Sequence, residues 1–221
     1  MLARRFTEPY WAAWLRWNGR GRWLHRPYYR AQALAVWHFR QCMCDARGKV
    51  FIDCGANVGE ISAVMLAAGG IVYAFEPDPI AAAALRKSLG SHPNLTLIEK
   101  AVGANARRDI LRSPSHPGLE HTIASSFFTH RDNDGRRSTE IEVVDLFEFV
   151  RSLGCHVAAI KMDVEGAEFE ILERFLDEPL PVDRLFVEMH ERMQPSFQGR
   201  GALIRAKIRA RGFTHVDLGW P

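Results

Sequence analysis

The rhythm of apolar and polar positions changes at Lys49. Beyond it, apolar bursts of strand length alternate with helix-length segments, the pattern of a mostly parallel twisted sheet with helices on both faces. Val50-Phe51-Ile52-Asp53 predicts a first strand, Gly55 to Gly59 a glycine-rich turn, and Ile61 to Ala68 a helix stopped by Gly69-Gly70. Ile71 to Phe75 predicts a second strand, Pro79 to Leu89 a helix with its proline in the first turn, and Leu95 to Ile98 a third strand. This is a βαβαβ unit. Residues 103–140 are polar, with few apolar residues (Ile123, Phe127, Phe128), and predict a long excursion over the sheet. An alternating strand (Glu140 to Val144), a short helix (Asp145 to Leu153) and a buried strand (Val157 to Met162) follow. Then come an amphipathic helix (Gly166 to Leu176), a strand (Arg184 to Glu188), a helix (Gly201 to Arg211) and a last strand (Thr214 to Leu218).

Composition adds a division of the chain. At 221 residues and 47% apolar there is material for one sizeable core. The overall charge is +3, yet residues 1–40 hold eight Arg, no Lys and one Glu, a net of +7, which leaves −4 for the remainder. The same stretch holds Trp11, Trp14, Trp17, Trp23 and Trp37. A basic, Trp-rich helical extension is therefore expected over residues 1–45, ahead of one domain over 46–221. Trp11, Trp14 and Trp17 fall on one helical face, which predicts burial against that domain. An anionic membrane surface or a homodimer contact are the other uses that Arg and Trp suit. Nucleic acid is disfavoured as partner, because a nucleic-acid channel continues its positive charge past the active site and the domain here is acidic.

The longest uncharged run, Ile61 to Phe75, is too short to span a bilayer and is broken by Gly69-Gly70. The first residues carry Arg4, Arg5 and Glu8 in place of an apolar secretion signal. Cys42, Cys44, Cys54 and Cys155 lack paired C-x-x-C spacing and read as reduced thiols. The expected location is the cytoplasm, at most peripheral to the inner face of a membrane.

The turn after the first strand selects a cofactor class. A dinucleotide site needs G-x-G-x-x-G with free amides at the helix end. Here the spacing is Gly55-x-Asn57-x-Gly59, followed by Glu60, with Asp53 two residues before Gly55. These acids repel a diphosphate and suit S-adenosylmethionine, whose amino and sulfonium groups are cationic. Glu76, ending the second strand in Phe75-Glu76-Pro77, is placed to accept hydrogen bonds from a ribose diol. The bland alternative is that Asp53 and Glu76 cap the following helices.

Charged residues also gather after the fourth strand of the main pattern, at Lys161, Asp163, Glu165 and Glu168, while Glu188 and His190 end the next strand. Ligands bind at that edge of such sheets. His190, titratable near neutrality, is the first candidate for a general base, with Asp163 or Glu165 to orient it or to bind acceptor hydroxyls. A satisfied His at a strand end, or carboxylates that serve only a helix N-terminus, are the plain readings of the same residues. Asp163, Glu188 and His190 also have the donor types of a divalent metal site, although no metal is assigned.

Taken together, D-x-G-A-N-x-G at 53–59, F-E-P at 75–77, K-x-D-x-E-G-A-E at 161–168 and V-E-x-H at 187–190 resemble the FkbM family of methyltransferases. The resemblance runs from about Lys49 to Gly212. It implies an α/β, Rossmann-like class I methyltransferase fold, S-adenosylmethionine as donor and S-adenosylhomocysteine as product. It further implies O-methylation of a sugar, glycan, glycolipid or polyketide-type acceptor. By position, Asp53, Gly55, Ala56, Asn57, Gly59, Glu76, Pro77, Ala101 and Asp163 surround the donor, and Asp163, Glu165, Glu188 and His190 are the catalytic candidates. Two features depart from the family pattern. The sheet lacks an evident seventh strand, so that its edge is left open, or is closed by other residues or a partner subunit, and the front end is unaccounted for. A donor-binding module without chemistry is the rival reading, and an NAD-dependent sugar-modifying enzyme a third.

Overall fold

The computed structural model describes residues 27–113, 137–191 and 194–220. In chain order the first half contains α1 (Pro27–Cys44), β1 (Val50–Cys54), α2 (Glu60–Ala67), β2 (Ile71–Phe75), α3 (Pro79–Leu89), β3 (Leu95–Ile98), β4 (Ala101–Gly103) and β5 (Arg107–Ser113). The second half contains β6 (Arg137–Asp145), α4 (Leu146–Ser152), β7 (Val157–Met162), α5 (Glu168–Asp177), β8 (Val182–Val187), a 3-10 turn at Pro195–Phe197, α6 (Arg200–Ala210) and β9 (Val216–Asp217).

Six strands in the order β3-β2-β1-β7-β8-β9 form a wholly parallel sheet. This is the doubly wound order in which the chain steps outward, returns to the centre and steps outward the other way. Side chains alternate across it. Ile52, Ile160 and Leu185 join one core with α4, α5 and α6, while Phe51, Ala159 and Phe186 join the other with α1, α2 and α3. Burial on both faces explains why these strands read as unbroken apolar runs.

The predicted excursion is corrected at both ends. Residues Arg107–Ser113 and Arg137–Asp145 pair antiparallel, and β4 joins them in a second, three-stranded sheet. Leu111, Ile141, Val143 and Ala101 form the buried cluster of that sheet; the alternation over 140–144 announces part of β6, whereas β5 has too few apolar residues to announce itself, and pairing across the hairpin supplies its order. The rest of the excursion, with Ile123, Phe127 and Phe128, lies outside the described residues, as do Trp11, Trp14, Trp17 and Trp23.

At the opposite edge, β9 pairs directly with β8 and no seventh strand is present among the described residues. Trp220 and α1 cover this edge. Trp220 donates its backbone N–H to the Val187 carbonyl at 3.2 Å, and its ring packs on Phe39 and Phe186 with centroids 5.0 and 5.5 Å away. From α1, His38 Nδ1 meets both Asp217 carboxylate oxygens at 2.9 Å. No described helix is long and apolar enough to cross a membrane.

Phe39 is fully buried between α1 and the sheet. We expect Phe39→Ala to cost about 3–5 kcal/mol, the range for deleting a buried phenyl ring, measured by urea denaturation. A loss under about 1 kcal/mol would show that α1 contributes little to the fold.

Candidate functional site

The site lies along the carboxyl ends of β1, β2, β7 and β8, which finish in step. Gly55 and Ala56 donate their N–H groups to the Phe75 carbonyl (3.0 and 2.9 Å), Asp163 to Cys54 (3.0 Å) and Glu188 to Met162 (2.9 Å). Each strand end is thus tied to its neighbour, and the loops that leave it begin from fixed positions.

Most of the expected donor residues gather at these strand ends, Ala101 excepted, and the glycines of the turn after β1 hold a local surprise. A Cβ on Gly55 would sit 1.8 Å from the Asp163 carbonyl oxygen, and one on Gly59 would meet Leu85 and Leu89 at 2.9 Å. Both backbones have positive φ, 75° and 91°. Their missing side chains make room for protein, so that the turn presses against β7 and α3, and not for a ligand. Asn57 adopts a left-handed backbone as well, with φ 48°.

Amide bookkeeping in this turn decides the cofactor class. Gly55 and Ala56 give their N–H groups to Phe75, Asn57 gives its N–H to Glu76 Oε2 at 2.7 Å, and Gly59 gives its N–H to Ala56 at 2.8 Å. A pyrophosphate would find these four donors engaged, whereas dinucleotide sites depend on such amides being available. Glu76 accepts from Asn57 and, at 2.8 Å, from the Asp78 N–H, one bond per oxygen. A carboxylate has about four acceptor positions, so two remain for a ribose diol. Burial pushes Glu76 up to about 7, against these two hydrogen bonds. Asp78, not Glu76, caps the following helix, accepting from the Ile80 N–H at 2.9 Å and pairing with Arg137 of β6. Pro77 is half-buried beside it, and Ala56 is buried. The side chain of Ala101 serves the core of the second sheet.

Asp53 is completely buried. Its Oδ2 accepts from the Ser62 hydroxyl at 2.7 Å, and its Oδ1 has no hydrogen-bond partner but lies 3.5 Å from the Lys161 ammonium. Burial raises the Asp53 pKa, with Lys161 and Ser62 opposing. An acidic strand end, with Asp53 beneath the turn and Glu60 opening α2, suits a ligand that brings positive charge and hydroxyl donors. S-adenosylmethionine has both.

Two strands away, Asp163, Glu165, Glu188 and His190 converge. His190 Nδ1 is 3.2 Å from Glu168 Oε1, and the His190 backbone N–H donates to the same oxygen at 2.7 Å. Glu168 is fully buried, and its other oxygen accepts from the Gly166 N–H at 2.7 Å. The orienting carboxylate is therefore Glu168, in correction of Asp163 or Glu165. Those two face the other ring nitrogen: Nε2 lies 3.5 Å from Glu165, 3.7 Å from Asp163 and 3.8 Å from Glu188. Glu165 reaches this place through a left-handed backbone, φ 50°.

The expectation that His190 titrates near neutrality is also corrected. Burial alone would lower its pKa, but the hydrogen bond and charge of Glu168, with Glu165 and Asp163, raise it to about 10. The ring is an imidazolium at neutral pH. Burial, with like charges around it, pushes Glu165 up to about 8 and Glu188 up to about 7. Carboxylates, not the imidazole, are thus the groups poised to take a proton near pH 7. Asp163, Glu165 and His190 bring ligand atoms within 4.8 Å of one another, but an ion there would first have to displace the His190 proton. Sequence reasoning named Lys161 and Glu168 but gave Lys161 no role and left Glu168 to the helix N-terminus. Lys161 had a visible signal, as the one charge in an otherwise apolar strand; the reach of Glu168 to His190 had none.

A family model described as the methyltransferase FkbM domain matches residues 53–214. No curated protein matches the sequence. Among solved structures, the chain is similar to a Pyrococcus horikoshii protein provisionally described as an RNA methyltransferase, at 16% identity and a TM-score of 0.40, over 86% of this chain and 70% of that one. It is also similar to the 1,6-didemethyltoxoflavin-N1-methyltransferase of Burkholderia thailandensis, solved with 1,6-didemethyltoxoflavin and S-adenosylhomocysteine. There the identity is 16% and the TM-score 0.23, over 68% and 75% of the two chains.

The raised groups have a consequence for stability. Glu76, Glu165 and Glu188 start from an ordinary value of 4.5 and His190 from 6.5, so the folded chain holds more protons than the unfolded one between those values and about 7 to 10. Their contribution is complete below the unfolded values and is lost as pH rises through the folded ones. Without donor, the melting temperature should fall from about pH 6 to about pH 10. Glu165→Gln should flatten the fall around pH 8. Scanning calorimetry checks both, and a wild-type curve rising over this range would contradict the charge network.

Proposed function

We propose that this chain, which belongs to the FkbM family of methyltransferases, moves the methyl group of S-adenosylmethionine, the donor of its family, to a hydroxyl of a neutral polyhydroxylated acceptor, a sugar, glycolipid or polyketide-type molecule. The observation that carries the reading is the acidic cluster around His190, set on the same sheet edge as the donor turn. When bound, the donor supplies a methyl carbon already activated by its sulfonium. What the chain must add is alignment and a place for a proton.

The acceptor hydroxyl lies against Glu165 and Glu188, and its proton passes to one of these carboxylates as the oxygen bonds to the methyl carbon and the carbon–sulfur pair stays with sulfur. Glu188, near 7, suits proton acceptance at neutral pH, and Glu165, near 8, is largely protonated there and can take that role as pH rises. His190, held charged by Glu168, offsets the mutual repulsion of these carboxylates and draws them toward one point. The same charges favour a hydroxyl over other acceptors. An amine drawn into this cluster would stay protonated and lose its nucleophilic pair, and a phosphate-rich chain would be repelled.

The front of the chain suggests where the acceptor is met. On α1, Leu34 and Trp37 are exposed, and they belong to the 40-residue stretch of net charge +7. Indole and Arg side chains together suit an anionic lipid surface, which would present a glycolipid acceptor.

Calorimetry should find binding of S-adenosylmethionine and S-adenosylhomocysteine and none of NAD; NAD binding alone would overturn the donor reading. In assays of labelled methyl transfer to glycan and glycolipid extracts, Glu165→Gln or Glu188→Gln should slow turnover about a hundred-fold, with donor affinity little changed. Tight donor binding with no transfer to any hydroxyl acceptor would favour a binding module. Vesicles with anionic lipid should sediment the full chain and neutral vesicles should not, with Trp37→Ala weakening the association; equal sedimentation with both would remove the membrane from this account.

A further inference from the structure

Lys161 lies in a strand where every other residue is apolar, Val157-Ala158-Ala159-Ile160-Lys161-Met162, and only 4% of its surface is exposed. A buried ammonium has to be matched. In the sheet register Lys161 stands opposite Asp53 of β1. Its Nζ donates to the Gly55 carbonyl at 2.8 Å and lies 3.5 Å from both Asp53 Oδ1 and Asp163 Oδ2. One cation therefore touches the end of β1, the middle of the glycine turn and the loop after β7.

We propose that Lys161 is the positioning residue of the donor site, holding the Gly55 turn, Asp53 and Asp163 in the one arrangement that admits the donor without itself touching it. Three features argue for this. The Gly55 carbonyl, held down toward β7 by the ammonium, orients the peptide that follows, whose N–H is the one given to Phe75. Asp53 has Ser62 on one oxygen and Lys161 as the nearest group to the other, so its negative charge is balanced from inside the protein before any ligand arrives. The cramped approach of Gly55 to the Asp163 carbonyl means that turn and loop move together, and Lys161 bridges the pair. Burial by itself would lower the Lys161 pKa, but Asp163 and Asp53, with Glu188, raise it, so the ammonium persists at neutral pH.

The inference rests on the reading of this turn as the S-adenosylmethionine site, and one set of calorimetric titrations with S-adenosylmethionine separates the two. The proteins are wild type, Lys161→Met, Lys161→Arg, Asp53→Asn and the double variant Lys161→Met with Asp53→Asn, each checked for folding by circular dichroism. Lys161→Met should bind at least about ten-fold more weakly, the scale of one hydrogen bond to a charged group, and Lys161→Arg should recover most of the loss. Because the two residues act through one arrangement, adding Asp53→Asn to Lys161→Met should cost less than about two-fold more, well short of multiplying the single losses. If Lys161→Met alone fails to fold, the double variant, which removes both charges, and Lys161→Arg carry the comparison. The proposal is overturned if Lys161→Met binds within about two-fold of wild type, if the losses multiply, or if Lys161→Arg is as weak as Lys161→Met. Wild type that fails to bind S-adenosylmethionine would instead sink the donor reading beneath it.

Discussion

Charges buried at the ends of parallel strands must be neutralised inside the protein, and this constraint organises the whole functional edge. Asp53 and Lys161 face one another in register at the sheet centre, where water cannot solvate either. Their match leaves Lys161 one strong donor for the Gly55 carbonyl, and so converts a pair of buried charges into a fixed backbone turn. The glycines then act through packing. Because Gly55 and Gly59 let the turn close onto β7 and α3, its amides are spent on Phe75, Glu76 and Ala56, and what faces a ligand is acidic.

The second half of the site obeys the same constraint with opposite sign. Asp163, Glu165, Glu188 and the fully buried Glu168 surround one imidazolium, which alone would not balance them all. The excess is relieved by protons: Glu165 and Glu188 are pushed into the neutral range, and His190 is held above it. A proton-accepting group near pH 7 thus arises from crowding of carboxylates around a cation, with the histidine as its organiser.

The surrounding architecture fixes these loops from outside. Arg137, at the start of β6, pairs with Asp78 just beyond Glu76, so the second sheet is tied to the loop that follows β2. At the far edge the short β9, Trp220 and α1 cover β8, the strand that carries Glu188 and His190 at its end. Closing the sheet with Phe39, Phe186 and Trp220 in mutual contact places part of the basic front end directly on the catalytic domain.

The order of strands and helices in the six-stranded sheet, the glycine turn and the acidic residues at its edge were legible in the sequence, because each depends on local spacing: apolar runs of strand length, a proline at a first turn, glycines after a strand. Glu76, Asp53 and the residues near His190 were found that way. What local spacing does not contain is which buried group meets which. That Glu168 and not Asp163 orients His190, and that Lys161 lies beneath Gly55, follow from the register of β1, β7 and β8. The state of the histidine was beyond the sequence for the same reason. A pKa is set by the number of charges within a few ångströms and by the exclusion of water, and only packing three strand ends side by side determined both.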